Sequence, residues 1–180
     1  MAEHEDIELL RYPIGKFQFT DGYGESDLAA DINRIATMPG RLTAAVSGFT
    51  TAQFDTPYRP GGWTIRQLIH HLVDSHMHAW IRIKWALTEE HPTIKAYDEK
   101  KYAETPDNKL DPAISLSILD AHHRRWAGLL KELGPEQFSR TFIHPVTGAD
   151  ISILRMVRLY SWHGEHHLAH ITGLKQRMNW

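Results

Sequence analysis

The chain has 180 residues, of which 42% are hydrophobic and 23% are charged, and its formal net charge is −2 when the 13 histidines are counted as neutral. This composition is typical of a globular protein and excludes an intrinsically disordered chain, and the scattered basic residues give no sign of a nucleic-acid-binding surface. The sequence contains no cysteine, which excludes disulfides, thiolate nucleophiles and zinc sites built on sulfur.

The length predicts one domain, residues 1–180. The first residues, MAEHEDIELL, are acidic and lack the basic segment followed by an apolar run that marks a secretory signal. No stretch approaches the ~18 consecutive apolar residues of a membrane span. We therefore expect a cytoplasmic protein that does not bind a membrane.

Residues 1–23 contain prolines, glycines and aromatic residues without a clear period, and they predict an extended N-terminal arm. Helical spacing of apolar residues begins after Ser26, which we interpret as an N-cap, and predicts a first helix to about Phe49. Pro39 and Gly40 are expected to bend or break this helix. A second helix is predicted from the N-cap Thr64 to about residue 89, where His91 and Pro92 follow.

Residues 92–111 are polar and predict a long connection that contains a turn of helix. Asp111 as N-cap and Pro112 at the first helical position predict a third helix to about residue 133. Residues 140–150 indicate a short hairpin or an irregular loop, and Ser152 caps a last helix that ends near Met178. Four long helices predict an all-α four-helix bundle with an N-terminal extended arm.

Two histidines of the last helix, His163 and His167, lie on its apolar stripe, whereas Glu165 is expected to project from the opposite side into solvent. Imidazoles at i and i+4 stand one turn apart, which is the spacing that offers two nitrogens to one ion. The alternative is a pair of core histidines that bond to the backbone or to each other. The segment is not HExxH, which excludes membership of the zinc metalloproteases that carry that motif.

A third ligand is expected from the second helix, which offers His70, His71, His76 and His78. Apolar periodicity favours His76, because it continues the strongest apolar line of this helix. His71 belongs to a smaller and more polar seam of the kind that borders a cavity. The residues alone leave both alternatives open.

Four stretches carry a family resemblance: YPIG (12–15), DTPYRPGGWTIRQLIHHLVDSHMH (55–78), TEEHPTIKAYDEK (88–100) and LYSWHGEHHLAHIT (159–172). In these motifs the chain resembles the YfiT-like metal-dependent hydrolases of the DinB superfamily. The resemblance implies an up-and-down four-helix bundle that binds one divalent metal through His71, His163 and His167. It also implies zinc as the first expected metal, nickel as the second, and a homodimer.

A site of three histidines keeps the full charge of the metal and leaves a position for water, as in catalytic zinc sites. The first hypothesis is therefore a hydrolase for a small-molecule substrate, with a metal-bound water and no assigned catalytic side chain. His170, Asp74 and Tyr160 are candidates for groups that orient this water or a ligand histidine. The alternatives are a metal-dependent S-transferase for low-molecular-weight thiols, as in the same superfamily, and a non-enzymatic metal-binding stress-response module.

Overall fold

The computed structural model describes residues 7–19 and 22–180. The helices are α1 (Ile7–Arg11), α2 (Glu25–Ala45), α3 (Thr51–Phe54), α4 (Ile65–Thr88), α5 (Glu99–Tyr102), α6 (Pro112–Lys131), α7 (Pro135–Ser139) and α8 (Ile153–Met178). A 3₁₀ turn covers Pro106–Lys109, and the strands β1 (Thr141–Ile143) and β2 (Asp150–Ser152) pair antiparallel. The long helices α2, α4, α6 and α8 form the predicted all-α four-helix bundle, which is confirmed.

Each long helix has two neighbours in the bundle. Helix α2 packs on α6 and α8, and α4 packs on the same two helices, so that α2 and α4 lie across a diagonal. Asp31 and Arg41 of α2 contact Arg158 and Glu165 of α8, in the same order along both helices. Helices α2 and α8 are therefore parallel neighbours.

Helices α4 and α6 form the second parallel pair. His70 of α4 contacts Ser115 of α6, and Trp80, farther along α4, contacts His122, farther along α6. The chain must return along the bundle between two parallel neighbours, and residues 89–111 make this crossover. The predicted long connection with helical turns is thus explained. The long helices run up, down, down and up, which departs from the strict alternation of an up-and-down bundle.

Three predicted helix starts are confirmed by side-chain oxygens that accept backbone N–H groups. The Thr64 hydroxyl accepts from the Gln67 amide at 3.2 Å, and the Ser152 hydroxyl accepts from the Arg155 amide at 3.1 Å. At α6, the Asp111 carboxylate accepts from the Ala113 amide at 2.9 Å. These caps determine where α4, α6 and α8 begin.

The beginning of the chain differs from the prediction. The expected extended arm contains the short helix α1, and its residues 1–6 and 20–21 lie outside the described residues. Helix α2 begins at Glu25 with Gly24 as N-cap, because the Asp27 carboxylate accepts the Gly24 N–H at 3.0 Å. The prediction of Ser26 as N-cap is therefore wrong.

Helix α2 also continues without interruption through Pro39. Of the predicted bend or break at Pro39 and Gly40, the break is therefore wrong. Proline has no N–H, and the carbonyl of Ile35 four residues earlier therefore loses its usual helical donor. The ring of His123 replaces that donor, with its Nδ1 atom 2.6 Å from the Ile35 oxygen. A hydrogen bond from α6 thus satisfies the carbonyl that proline leaves free.

The hairpin alternative for residues 140–150 is confirmed. Phe142 pairs with Ile151 in the register of β1 and β2, and the Phe142 side chain is fully buried. The Ile94 amide donates to the Ile143 carbonyl at 3.1 Å, which fastens the crossover to the hairpin.

A layer of histidines crosses the bundle between two apolar clusters. One cluster contains Ile35, Ala79, Trp126 and Tyr160, and the other contains Met38, Leu72, Leu119 and Ile171. The layer consists of His71, His76, His123, His163 and His167. Four of these histidines fall between the residues of the two clusters along their helices, and His71 directly precedes Leu72 of the second cluster. Within the residues that the structure describes, no helix is both long and apolar enough to cross a membrane.

Candidate metal centre

Three imidazoles of the histidine layer converge through their Nε2 atoms. They belong to His71, His163 and His167, which we call the triad. His163 Nε2 lies 3.4 Å from His71 Nε2 and 3.2 Å from His167 Nε2. His71 and His167 are buried, and His163 is partly exposed. The structure therefore brings together the three residues that the family resemblance named.

Helix geometry positions the three rings. His163 and His167 stand one turn apart on α8 with ring centroids 4.5 Å apart. Helix α4 runs antiparallel to α8, so that His71 faces both of them, with its ring centroid 5.4 Å from that of His163 and 5.0 Å from that of His167. Trp63 packs against His71 at 4.6 Å from the outer side and limits the movement of its ring.

Burial keeps the three imidazoles neutral. Desolvation lowers the pKa of His71 to about 4. Desolvation and then the neighbouring histidines lower the pKa values of His163 and His167 well below the usual value. Neutral imidazoles carry the lone pairs that a metal requires, so the site is ready to bind a cation at neutral pH.

The distances between the nitrogens fit a tetrahedral metal. Zinc–nitrogen bonds of about 2.0–2.1 Å at tetrahedral angles separate two ligand nitrogens by about 3.3 Å. The two Nε2 distances of 3.2 and 3.4 Å bracket this value. A nitrogen has only one lone pair, so His163 Nε2 cannot accept an N–H from both neighbours, and a shared cation satisfies all three atoms together.

The other histidines of α4 have different partners. His70 contacts the Ser115 hydroxyl at 2.7 Å, and His78 stacks on Tyr97 with ring centroids 4.2 Å apart. His76, which periodicity favoured as the third ligand, is fully buried, and its Nε2 lies 3.0 Å from Nδ1 of His163, on the opposite side of that ring from the triad. Sequence periodicity detected the burial of His76 but not what it contacts.

A second histidine group lies farther along α8 and shares His167 with the first. It consists of His166, His167 and His170, whose candidate nitrogens lie within 4.8 Å of one another. His166 Nε2 and His170 Nε2 are 3.1 Å apart. The pKa of His170 is lowered to about 3 by burial, by His166 and by the charges of Arg59 and Arg177. Two nearby guanidinium groups disfavour a cation here, and the triad with His71 is the better site.

Two of the three candidate supporting groups, Tyr160 and His170, lie beside a ring of the triad. The Tyr160 ring packs against His163 at 5.4 Å, and the Ser75 hydroxyl donates to the Tyr160 oxygen at 3.3 Å. The His170 ring lies 5.8 Å from that of His167. Asp74 is half-buried, and burial followed by the charge of Asp107 raises its pKa to about 6.

The prediction that Glu165 projects into solvent is wrong. It faces α2 and accepts hydrogen bonds from the Arg41 guanidinium, one of them at 2.8 Å, and it is only partly exposed. Gly164 permits this close approach of the two helices, because a Cβ at residue 164 would lie 3.1 Å from Met38 Cγ. The prediction failed because α2 is the parallel neighbour of α8, which the sequence does not reveal.

Known proteins resemble this chain over most of its length. Residues 34–171 match the DinB superfamily. The chain belongs to the DinB superfamily. It is 50% identical over 171 residues to a Bacillus cereus protein, covering 95% of this chain and 98% of that protein. A Bacillus mycoides protein is 48% identical with the same coverage, and both are named "Putative metal-dependent hydrolase".

Solved structures agree with this assignment. YfiT from Bacillus subtilis matches with a TM-score of 0.93 and 46% identity over 96% of this DinB-superfamily chain and 99% of that chain. It is described as "a probable metal-dependent hydrolase with an unusual four-helix bundle topology". A mycothiol-dependent maleylpyruvate isomerase matches with a TM-score of 0.61 and 16% identity over 77% of this chain and 60% of that chain, which shows a shared fold. The predicted family is confirmed.

Proposed function

We propose that this protein is a metal-dependent hydrolase of a small-molecule substrate, with one divalent cation held by His71, His163 and His167. The observation that carries the proposal is the convergence of three neutral Nε2 atoms at 3.2 and 3.4 Å. The relatives named as metal-dependent hydrolases cover almost the whole chain and support the same function.

Imidazole nitrogens suit both zinc and nickel, and the family resemblance makes zinc the first metal that we propose and nickel the second. A divalent cation bound by three neutral ligands keeps its charge, and it can polarise a carbonyl or phosphoryl oxygen and lower the pKa of water to about 7. The reaction therefore needs no nucleophilic side chain of the protein.

The surrounding residues restrict and orient the reacting groups. Trp63 and Tyr160 pack against two of the three imidazoles and exclude water from those sides of the site. The Tyr160 hydroxyl, held by Ser75, is our first candidate to hydrogen bond to a substrate or a water. Asp74 is our candidate proton carrier, because it lies three residues after His71 on α4 and burial raises its pKa to about 6, near the neutral range in which general acids and bases operate. We keep His170 as a candidate for supporting His167.

The proposal is tested by turnover with native protein loaded with Zn²⁺ or Ni²⁺. We expect hydrolysis within a panel of carboxylic esters, amides and phosphoesters, and no hydrolysis by the His163→Ala variant treated in the same way. The same preparations are assayed for conjugation of monochlorobimane to bacillithiol, mycothiol and glutathione, which measures thiol S-transferase activity.

The alternative functions give distinct results in these assays. Conjugation that depends on a thiol, without hydrolysis of any substrate in the panel, would replace the hydrolase by an S-transferase. Metal binding without turnover in either assay would indicate a non-enzymatic metal-binding module. Hydrolysis by the His163→Ala variant at the native rate would exclude the triad as the active site.

We also propose that the chain forms a homodimer. Three apolar side chains at the start of α6 are exposed to solvent, which is consistent with a contact between two copies; they are Leu110, Ile114 and Ile118. Sedimentation velocity at micromolar concentration is expected to give twice the mass of the chain, and a monomer at all concentrations would contradict this proposal.

A further inference from the structure

Behind the triad, a row of hydrogen-bonded rings connects His163 to the backbone of α2. Nδ1 of His163 lies 3.0 Å from Nε2 of His76, and Nδ1 of His76 lies 2.8 Å from Nε2 of His123. The row ends where Nδ1 of His123 meets the Ile35 carbonyl at 2.6 Å. His76, His123 and Ile35 are at most 1% exposed, so water does not compete for these contacts.

The last contact determines the direction of every hydrogen bond in the row. A carbonyl oxygen can only accept, so His123 must carry its proton on Nδ1. In a neutral His123 the Nε2 atom is then an acceptor, and the His76 Nδ1 atom must donate to it. By the same reasoning His76 Nε2 accepts from the Nδ1–H of His163.

The consequence for His163 is a single tautomer with its lone pair on Nε2. This is the atom that faces His71 and His167. If an extra proton entered the row, His123 would donate from both nitrogens and every later bond would reverse. His163 would then carry its proton on Nε2, which cannot bind a metal.

We propose that His76 and His123 are positioning residues that fix His163 in the tautomer competent for metal binding. We call this row of hydrogen bonds the relay. Its direction is set by the Ile35 carbonyl, which is available as an acceptor because Pro39 has no N–H to donate to it. This inference rests on the proposed function, since it assigns a purpose to the tautomer of a proposed ligand. The carbonyl that Pro39 leaves free in α2 therefore determines which nitrogen of His163 can bind the metal.

The packing around His76 supports a fixed ring. Trp126 and Tyr160 meet the His76 ring edge to face, with interplanar angles of 89° and 83°. The His123 ring lies within 17° of the His76 plane, as a hydrogen bond between ring nitrogens requires. Burial lowers the pKa of His123 to about 4, which favours the neutral form that the relay requires. By contrast, the Nδ1 atom of His167 is buried without a hydrogen-bond partner among the described residues. The relay therefore reaches His163 and does not reach His167.

Nuclear magnetic resonance tests the relay directly in native protein without metal. Two-bond ¹⁵N–¹H correlations of ¹⁵N-labelled imidazoles identify the protonated nitrogen of each ring. We expect His123, His76 and His163 all to carry the proton on Nδ1 at pH 7.5. A proton on Nε2 of His163, or an even mixture of its two tautomers, would overturn the proposal.

Zinc affinity, measured by competition with a chelator, tests the consequence for binding. We expect His76→Leu to weaken Zn²⁺ binding by about 10- to 100-fold, as for other groups that orient metal-bound histidines. In His76→Gln the side-chain oxygen can still accept from His163, so the affinity is expected within about threefold of the native value. The control His78→Leu makes the same change on the same helix, outside the relay, and should bind as native.

The outcomes separate the relay from the metal site itself. Native affinity in His76→Leu, or equal losses in His76→Leu and His76→Gln, would overturn the relay. Failure of native protein to bind Zn²⁺ would contradict the proposed function alone, because the tautomers are measured without metal and still decide the relay.

Discussion

Helix α8 contributes to two buried polar clusters with different hydrogen-bonding states. Asp31 of α2 is fully buried, and its two oxygens accept from four side chains: Tyr23 at 2.8 Å, Arg34 at 2.5 Å, Arg158 at 3.1 Å and Ser161 at 2.6 Å. In the triad, the Nε2 atoms of His71 and His167 both approach Nε2 of His163. That atom has one lone pair and can accept a hydrogen bond from only one of them. The carboxylate cluster is complete within the protein, whereas the triad needs a further partner.

This difference separates a cluster that stabilises the fold from one that binds a ligand. Buried polar groups are normally satisfied by protein partners or ordered water. Asp31 follows this rule, and we expect its loss to affect folding without affecting metal binding. The triad departs from the rule, and we expect its loss to affect metal binding far more than folding.

The largest expected change in stability is caused by Asp31→Ala. Removing the carboxylate leaves the buried Ser161 hydroxyl without its acceptor, whereas Arg34 and Arg158 are partly exposed and remain solvated. The free energy of unfolding should therefore fall by roughly 1–3 kcal/mol. Asp120→Ala is the matched control, because the ion pair of Asp120 with Arg124 is exposed and should contribute less than about 1 kcal/mol. Urea unfolding measures both variants.

Metal binding by folded Asp31→Ala should equal that of native protein. A loss of bound zinc in a preparation whose circular dichroism remains native would contradict the separation of the two clusters.

Acid should weaken the fold through the histidine layer. Burial lowers the pKa values of His71 and His123 to about 4, below the ordinary value near 6.5 of the unfolded chain. Between these values the unfolded state binds more protons, so the free energy of unfolding decreases as the pH falls from 6.5 to about 4. The slope is at most about 1.4 kcal/mol per pH unit for each such histidine.

Urea unfolding of metal-free protein at pH 7.5, 6.5 and 5.5 measures this effect. Little change is expected between the first two values and a clear loss at the third. Equal stability at pH 6.5 and 5.5 would show that these histidines are not buried in the neutral form.

The smallest expected change is caused by Glu165→Gln. Glu165 lies within the histidine block of the sequence but pairs with Arg41, and both side chains are partly exposed. Such pairs contribute less than about 1 kcal/mol to stability. Zinc affinity should remain native in a chelator competition, and a tenfold loss would place Glu165 closer to the metal than this account allows.

Local signals in the sequence were sufficient for most element boundaries. Thr64, Asp111 and Ser152 cap their helices as predicted, because a cap depends on residues within one turn. The helical spacing of His163 and His167 likewise predicted that the two rings would lie together. These predictions needed no knowledge of how the helices pack.

The errors involve contacts between distant parts of the chain. Helix α2 tolerates Pro39 because His123, 84 residues later, donates to the carbonyl that proline leaves free. Glu165 is covered because α2 and α8 are parallel neighbours. His76 was correctly expected in the core, but its bond to His163 depends on the facing of α4 and α8. Periodicity assigns a residue to a buried face and cannot identify its partner there.

The most direct test of the account is the metal content of the purified protein by elemental analysis. We expect one Zn²⁺ or Ni²⁺ ion per chain in native protein and in His166→Ala, which removes the second histidine group and leaves the triad intact. In His163→Ala we expect almost none, with native circular dichroism. Native protein without metal, or His163→Ala with an undiminished content, would contradict the claim that His71, His163 and His167 share one ion.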